Sequence, residues 1–265
     1  MKHVCTAAAF ILVAGNAAAQ DRVTVPLTDP AKPAVIRASL LSGSFSVRGY
    51  QGRDVIVEAR GRAGESRRRR EPEEVGGMRR IDMAGTGLDI EENNNVVRIR
   101  SGHHSAVEID LQVPYNTSLD LKTVNNGGIR VENVNGEIDV NSLNGAIALN
   151  NVSGSVLAHC LNGPVTVTFD KLTGGKPMSF SSLNGNIDVT FPADVKANVK
   201  LKTENGDIYT DFEIAAITKP LPAPEKSGGR FRVRFDRAFY GSINGGGPEM
   251  QFTTLNGRIL LRRKK

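Results

Sequence analysis

Asn-Gly begins at residues 126, 135, 144, 162, 184, 205, 244 and 256, and this recurrence governs what the chain can become. From Asn126 to Asn162, with Ser153-Gly154 filling one gap, the step is nine residues each time. Thr173-Gly174 fills a second gap. Each pair leads into a short alternating run: Gly-Ile-Arg-Val, Glu-Ile-Asp-Val, Ala-Ile-Ala-Leu, Ser-Val-Leu-Ala and Pro-Val-Thr-Val. A unit this short cannot bury its own apolar face, so it must stack on its neighbours.

Asn-Gly between β-runs ordinarily marks a two-residue hairpin, because both residues tolerate positive φ. Parity argues otherwise. Ile138 and Val140 share a face, but Leu143 has the opposite parity, and the break recurs at Val152 and Leu161. A straight strand alternates faces with period two. A corner before each of these residues keeps Leu143, Val152 and Leu161 inward, so the chain bends repeatedly in one sense. The expected fold is therefore all-β: a single-stranded parallel β-solenoid, or β-helix. The units alternate in kind. Ser142, Cys160, Ser182, Thr203, Ser242 and Thr254 each stand two places before an Asn, and two units make a coil of 18 residues, stretching to 22 where Lys171 to Met178 is inserted. Coils stack about 4.8 Å apart. Asn126, Asn135, Asn144, Asn162, Asn184, Asn205, Asn244 and Asn256 are then expected to form turn ladders of stacked amides.

The ends read differently. Residues 1–19 combine a positive start, an apolar run from Ala7 to Ala14 and Ala17-Ala18-Ala19, which reads as a signal peptide cleaved before Gln20. The apolar run is shorter than the roughly 20 residues of a bilayer span, so no membrane anchor is expected after cleavage. A linker, 20–34, precedes the solenoid, 35–261, which has loop insertions at 61–80 and 219–229; a basic tail, 262–265, follows. Within the solenoid, Val35 to Glu58 read as an early coil and Arg230 to Leu261 as the last ones. Only Cys160 lies beyond the signal segment, so packing and hydrogen bonds, not a disulfide, must hold the fold. Net charge is +6, a weak bias toward anionic surfaces.

Two segments carry a family resemblance. Val113-Pro114 is followed by Leu121-Lys122-Thr123-Val124-Asn125-Asn126-Gly127-Gly128-Ile129. Phe191-Pro192 is followed by Leu201-Lys202-Thr203-Glu204-Asn205-Gly206-Asp207-Ile208. With Ser182-Leu183-Asn184-Gly185-Asn186-Ile187, they resemble the bacterial β-strand-repeat family named "putative adhesin", a domain of unknown function. The resemblance implies an exported β-solenoid and supplies no catalytic residues.

No cofactor or metal is expected. Calcium-binding nonapeptide rolls need an Asp in every unit. Here Asp139 and Asp188 are matched elsewhere by Arg130, Ala148, Leu157, Thr166 and Tyr209. His103 and His104 are adjacent and face opposite ways on a strand, and His159 is expected at a corner. Cys160 fills the small-residue slot. The acidic residues Asp110, Asp120, Asp139, Asp188, Asp207 and Asp211 are scattered, where a glycosidase needs a facing pair. Arg230, Arg232 and Arg234 share one parity against Phe231, Val233 and Phe235, and with Arg237 they form a candidate binding stripe for anionic polymer. The simpler reading is charge protection of a terminal strand. Nucleic acid is not expected without interleaved stacking aromatics. The expected function is a non-catalytic envelope or cell-surface binding module, adhesin-like, in the periplasm or on the surface, with an envelope polymer or protein as partner. The alternative is a polysaccharide-active lyase or hydrolase on a β-helix scaffold.

Overall fold

A computed structural model describes residues 20–61, 87–101, 106–125, 127–172, 175–218, 225–227, 230–232 and 237–265. Strands are the only regular structure among them. The first are β1 (Gln20–Val25), β2 (Ala34–Tyr50), β3 (Val55–Gly61), β4 (Leu88–Asn93), β5 (Val96–Ser101) and β6 (Val107–Pro114). The central strands are β7 (Thr117–Asn125), β8 (Ile129–Glu132), β9 (Ile138–Asn144), β10 (Ile147–Ser153), β11 (Val156–Asn162) and β12 (Val165–Lys171). Next come β13 (Met178–Asn184), β14 (Ile187–Phe191), β15 (Ala197–Asn205), β16 (Ile208–Thr210) and β17 (Ile214–Ala216). The last are β18 (Glu225–Ser227), β19 (Arg230–Arg232), β20 (Phe239–Ile243), β21 (Glu249–Asn256) and β22 (Ile259–Arg263).

The central coils each contribute one strand to either of two faces. On the first face β7, β9, β11 and β13 pair in parallel; on the second, β8, β10, β12 and β14 do. This is solenoid winding, with a bend at each Asn-Gly. Inward positions form columns. Leu121, Val140, Ala158, Phe180, Phe252 and Leu201 follow one register, and Phe45, Ile129, Ile147, Val165, Ile187 and Ile259 follow another. All are buried. Around the lengthened coil, four rings pack together in the core. Phe169 stacks on Phe191 at 5.1 Å and Phe180 on Phe252 at 4.9 Å, with edge contacts of 6.4 and 6.3 Å between the pairs.

Stacking order departs from chain order at both ends. β21 pairs in parallel with β13 on one side and β15 on the other, and β22 lies likewise between β14 and β16. The C-terminal coil is thus inserted between two coils that precede it. At the other end β2 lies between β5 and β7 on the first face, then bends and lies between β6 and β8 on the second. From end to end, the eight described coils are therefore β5–β6, β2, β7–β8, β9–β10, β11–β12, β13–β14, β21–β22 and β15–β16.

Antiparallel strands close the stack. β4 pairs with β5, β3 with β6 and β1, and β20 with β15 and β17. The expectation of a uniformly parallel solenoid is corrected here: β3, read from Val55 to Val57 as part of an early coil, is an antiparallel cap. The caps are pinned by turns. Asn94 and Asn95 turn between β4 and β5 with φ of 51° and 63°. Asn95 receives a bond from the Asp29 amide at 2.7 Å and donates to its carbonyl at 2.6 Å. Glu92 accepts from the Thr28 hydroxyl at 2.9 Å. The bonds from the Thr28 hydroxyl and amide hold the Glu92 carboxyl below its usual range.

Candidate functional site

The Asn-Gly corner is the most regular feature of the surface, and it is built from three adjoining columns. In the first, amides link rung to rung. Asn144 donates to Asn125 at 3.1 Å, Asn162 to Asn144 at 2.8 Å and Asn184 to Asn162 at 2.8 Å. Asn256 then donates to Asn184 at 2.7 Å and Asn205 to Asn256 at 2.8 Å. The partners lie 19, 18, 22, 72 and 51 residues apart in sequence, which records the inserted C-terminal coil. Asn125 holds the place expected of Asn126, which lies outside the described residues. The chain has one residue more between Asn125 and Ile129 than between Asn144 and Ile147, which slips the register by one.

Two other expected ladder members stand elsewhere. Asn135 donates to Asn116 at 3.1 Å, on a separate edge where Asn151 also donates to Asn133 at 2.7 Å. Asn244 occupies a turn with φ of 50° and donates to the Ala193 and Val195 carbonyls at 3.2 and 2.8 Å. That turn carries the chain across the start of β15, from the cap strand β20 to the inserted strand β21.

The second column is glycine: Gly43, Gly127, Gly145, Gly163, Gly185, Gly257 and Gly206. A Cβ on Gly127, Gly145, Gly185, Gly257 or Gly206 would come within 1.9 to 2.2 Å of the neighbouring glycine carbonyl oxygen. The small-residue slot serves those same carbonyls. Thr123, Ser182, Thr254 and Thr203 donate to Gly43, Gly163, Gly185 and Gly257 at 2.9 to 3.0 Å, and Ser142 donates to Gly145 at 2.9 Å. Cys160 Sγ donates to Gly145 at 3.2 Å, and burial pushes its thiol pKa up, which suits a filler and not a nucleophile.

The third column is apolar and faces outward, which corrects the inward placement of Leu143 and Leu161. β9 keeps strict alternation as far as Ser142, so Ser142 takes the inward position and Leu143 is 39% exposed. The bend comes after Asn144, not before Leu143. Leu41, Leu161, Leu183 and Leu255 are exposed in the same way. At Val152 the inward reading holds, because Asn151 with φ of 54° makes the turn one residue earlier.

The candidate arginine stripe is divided. Arg230 and Arg232 lie in β19, which among the described residues pairs with β18 in a separate two-stranded sheet. Their side chains and Arg234 lie outside the described residues; Arg237 is exposed. The tail is tied to carboxylates: Arg262 pairs with Asp188 at 2.8 Å and Lys264 with Asp170 at 2.9 Å. Arg263 donates to the Asp211 carbonyl at 2.9 Å. Much of the tail's charge is therefore locally balanced.

Among the described carboxylates, Glu58 and Asp110 lie opposite each other across β3 and β6. Asp120 and Asp139 are register neighbours, but Lys122 Nζ lies 3.2 Å from Asp120, and Asn141 donates to Asp139 at 2.8 Å. His159 faces outward from mid-strand, not from a corner, with Nδ1 at 2.7 Å from the Ser181 hydroxyl. His103 and His104 lie outside the described residues. Among the described residues, no three His, Cys, Asp or Glu side chains cluster to hold a metal ion, and no helix is long and apolar enough to cross a membrane.

Two concavities were not foreseen. At the long coil, a groove of about 530 Å³ is lined by the apolar Met178, Met250 and Val195 and by the charged Asp170, Lys171, Asp194 and Lys196. A shallower one of about 240 Å³ lies beside Arg37, Arg98, Arg100 and Lys122. The shared outward parity of Arg98 and Arg100 was legible, but their meeting Arg37 depends on the insertion of β2.

Residues 117–221, 105 of the 265, match the family described as Toastrack DUF4097. No curated protein matches the chain. A solved structure titled a putative cell adhesion protein from Clostridium sporogenes aligns at 10% identity with a TM-score of 0.42, covering 92% of this chain and all of that one. A putative adhesin from Bacteroides fragilis aligns at 7% identity with a TM-score of 0.29, covering 92% and 97%. Over its central stretch the chain thus matches the Toastrack domain, and its resemblance to a putative-adhesin family of unknown function holds there.

Proposed function

We propose that this protein is a non-catalytic exported module that binds an extended envelope polymer or envelope protein. The observation behind this reading is the set of straight outward columns running across coils in one register. Such a surface offers a long partner the same group at every rung, and the groove at the long coil offers a recess for a substituent. Anionic polymer is the favoured class, because the chain carries a net charge of +6. The Arg230, Arg232, Arg234 and Arg237 segment is a second contact in this reading. The polysaccharide-active alternative would require acid–base work from Asp139 or Asp188, and Asp188 is engaged by Arg262.

The test is binding and turnover on isolated envelope glycans with the purified chain. Saturable retention that weakens with salt, without release of new chain ends, is expected. Turnover abolished by Asp139→Ala or Asp188→Ala would overturn the proposal in favour of the enzyme.

A further inference from the structure

Asn-Gly is the dipeptide most open to deamidation, because glycine has no Cβ to hinder its own backbone nitrogen as it approaches the asparagine side chain. That approach needs a free Gly N–H, and the ladder removes it rung by rung. Gly145 N donates to the Asn162 carbonyl at 3.1 Å, Gly163 N to Asn184 at 3.0 Å, Gly185 N to Asn256 at 3.0 Å and Gly257 N to Asn205 at 3.2 Å. On the separate edge, Gly136 N donates to the Ser153 carbonyl at 3.0 Å. All five glycines are half-buried. The amides of Asn144, Asn162, Asn184 and Asn256 are also held at both ends, each donating to the rung below and accepting from the rung above. Each ladder glycine reaches toward β15–β16, and that coil is the last. The cap strand β20 covers β15 only from Ala197 to Leu201 and stops short of the corner. Among the described residues, Gly206 N therefore has no acceptor and Asn205 Oδ1 no donor, and both residues are exposed. Gly245 N also lacks an acceptor among them, but the Asn244 amide nitrogen is tied to two backbone carbonyls.

We infer that Asn205 is a site of spontaneous deamidation, the rung at which the ladder is chemically open. The Gly206 backbone nitrogen gives its proton to solvent base and attacks Asn205 Cγ. The N–Cγ bond forms, the Cγ–Nδ2 bond breaks, and the departing nitrogen takes up a proton and leaves as ammonia. Water then adds to either carbonyl of the succinimide ring and opens it, which leaves an aspartate or an isoaspartate at position 205. Either product replaces the amide that donates to Asn256 Oδ1 at 2.8 Å with a carboxylate, which when ionised only accepts. Its negative charge joins those of Glu204 and Asp207. The isoaspartate also adds a methylene carbon to the main chain at the corner between β15 and β16. The product is a mark of age at one end of the stack: the end coil loses its amide tie to β21–β22 while the inner coils keep theirs.

Peptide mapping by mass spectrometry of the whole folded chain, aged in mildly alkaline buffer, tests this. Asn205 should convert at least about tenfold faster than Asn135, Asn144, Asn162, Asn184 and Asn256, which react only after local opening breaks their hydrogen bonds. Asn244 should fall between. In urea the unfolded chain loses the ladder, so the rates at these sites should converge. Equal rates in the folded chain, a lead by any of the other six sites, or the same lead for Asn205 in urea would overturn the inference. The deamidated fraction, separated by its added charge, gives a second readout. The Gly257 amide, which donates to the Asn205 carbonyl, should exchange faster there than in the intact chain. Unchanged exchange would contradict the loosening of the end coil.

Discussion

Replacing Gly185 with alanine perturbs the tightest feature of the stack. Gly185 holds a negative φ, so the substitution carries no left-handed backbone penalty and its cost is steric. The new methyl carbon would lie 2.1 Å from the Gly163 carbonyl oxygen, 2.5 Å from its carbon and 2.9 Å from Pro164 N. These are backbone atoms, and no rotamer relieves the clash. Normal contact needs the two coils to part by more than 1 Å, a rough figure for atoms that pack best at 3.5–4.0 Å. That opening strains the 3.0 Å bond from Gly163 N to the Asn184 carbonyl and the 2.8 Å amide bond from Asn184 to Asn162. Overpacking costs about 1–3 kcal/mol, and each weakened hydrogen bond adds about 1 kcal/mol. The expected loss is about 3–5 kcal/mol, a fall in Tm of about 6–20 °C for a chain of this size. Gly175→Ala is the matched control, because nothing lies within 4 Å of its added carbon. Thermal and urea unfolding followed by circular dichroism would compare the two. A Gly185→Ala chain that melts within about 2 °C of Gly175→Ala would refute the argument from coil spacing.

Asn162→Ala should cost less, about 1 kcal/mol or 2–4 °C in Tm, because the freed amides of Asn144 and Asn184 are exposed and can turn to water; a loss as large as that of Gly185→Ala would contradict this. The Glu92 carboxyl is held low by Thr28, so its contribution is present above the ordinary carboxylate pKa and is lost as pH falls through the depressed folded value. Amide exchange at Asn95 should therefore quicken in strong acid, and Glu92→Gln should flatten that dependence; identical profiles would refute the link. The Cys160 thiol should react with a disulfide reagent only after unfolding, and rapid labelling of the native chain would contradict its burial.

The parallel winding was legible because Ile138 with Val140 and Ile147 with Leu149 repeat in phase, and only stacking in one direction superimposes them. The side-chain direction at Leu143 was not legible. Apolarity suggested inward, but the hydrogen bond from Ser142 to Gly145 makes the small residue the inward one. Coil order was hidden for a different reason. Every Asn-Gly unit offers the same ladder, so local pattern is satisfied by any order of stacking. What separates the choices is nonlocal: Phe252 presents a ring to Phe180, and Leu201 at the same register position cannot. The groove and the Arg37–Arg98 contact follow from that order and were equally invisible. The Asn244 hook was masked by its shared Asn-Gly spelling, although Gly245-Gly246-Gly247-Pro248 after it marks a chain reversal and not a rung.

Whether β21 lies between β13 and β15 can be read directly from paired cysteines in a Cys160→Ser chain at low concentration. Ser181 and Thr253 are register neighbours, as are Thr253 and Lys202, so Ser181 and Lys202 stand two rungs apart. Two rungs are about 9.6 Å, beyond the roughly 7 Å that a disulfide can span between Cα atoms. Ser181→Cys with Thr253→Cys should oxidise to an intramolecular disulfide, and Ser181→Cys with Lys202→Cys should not. The reverse result would mean that the coils stack in the order in which the chain makes them.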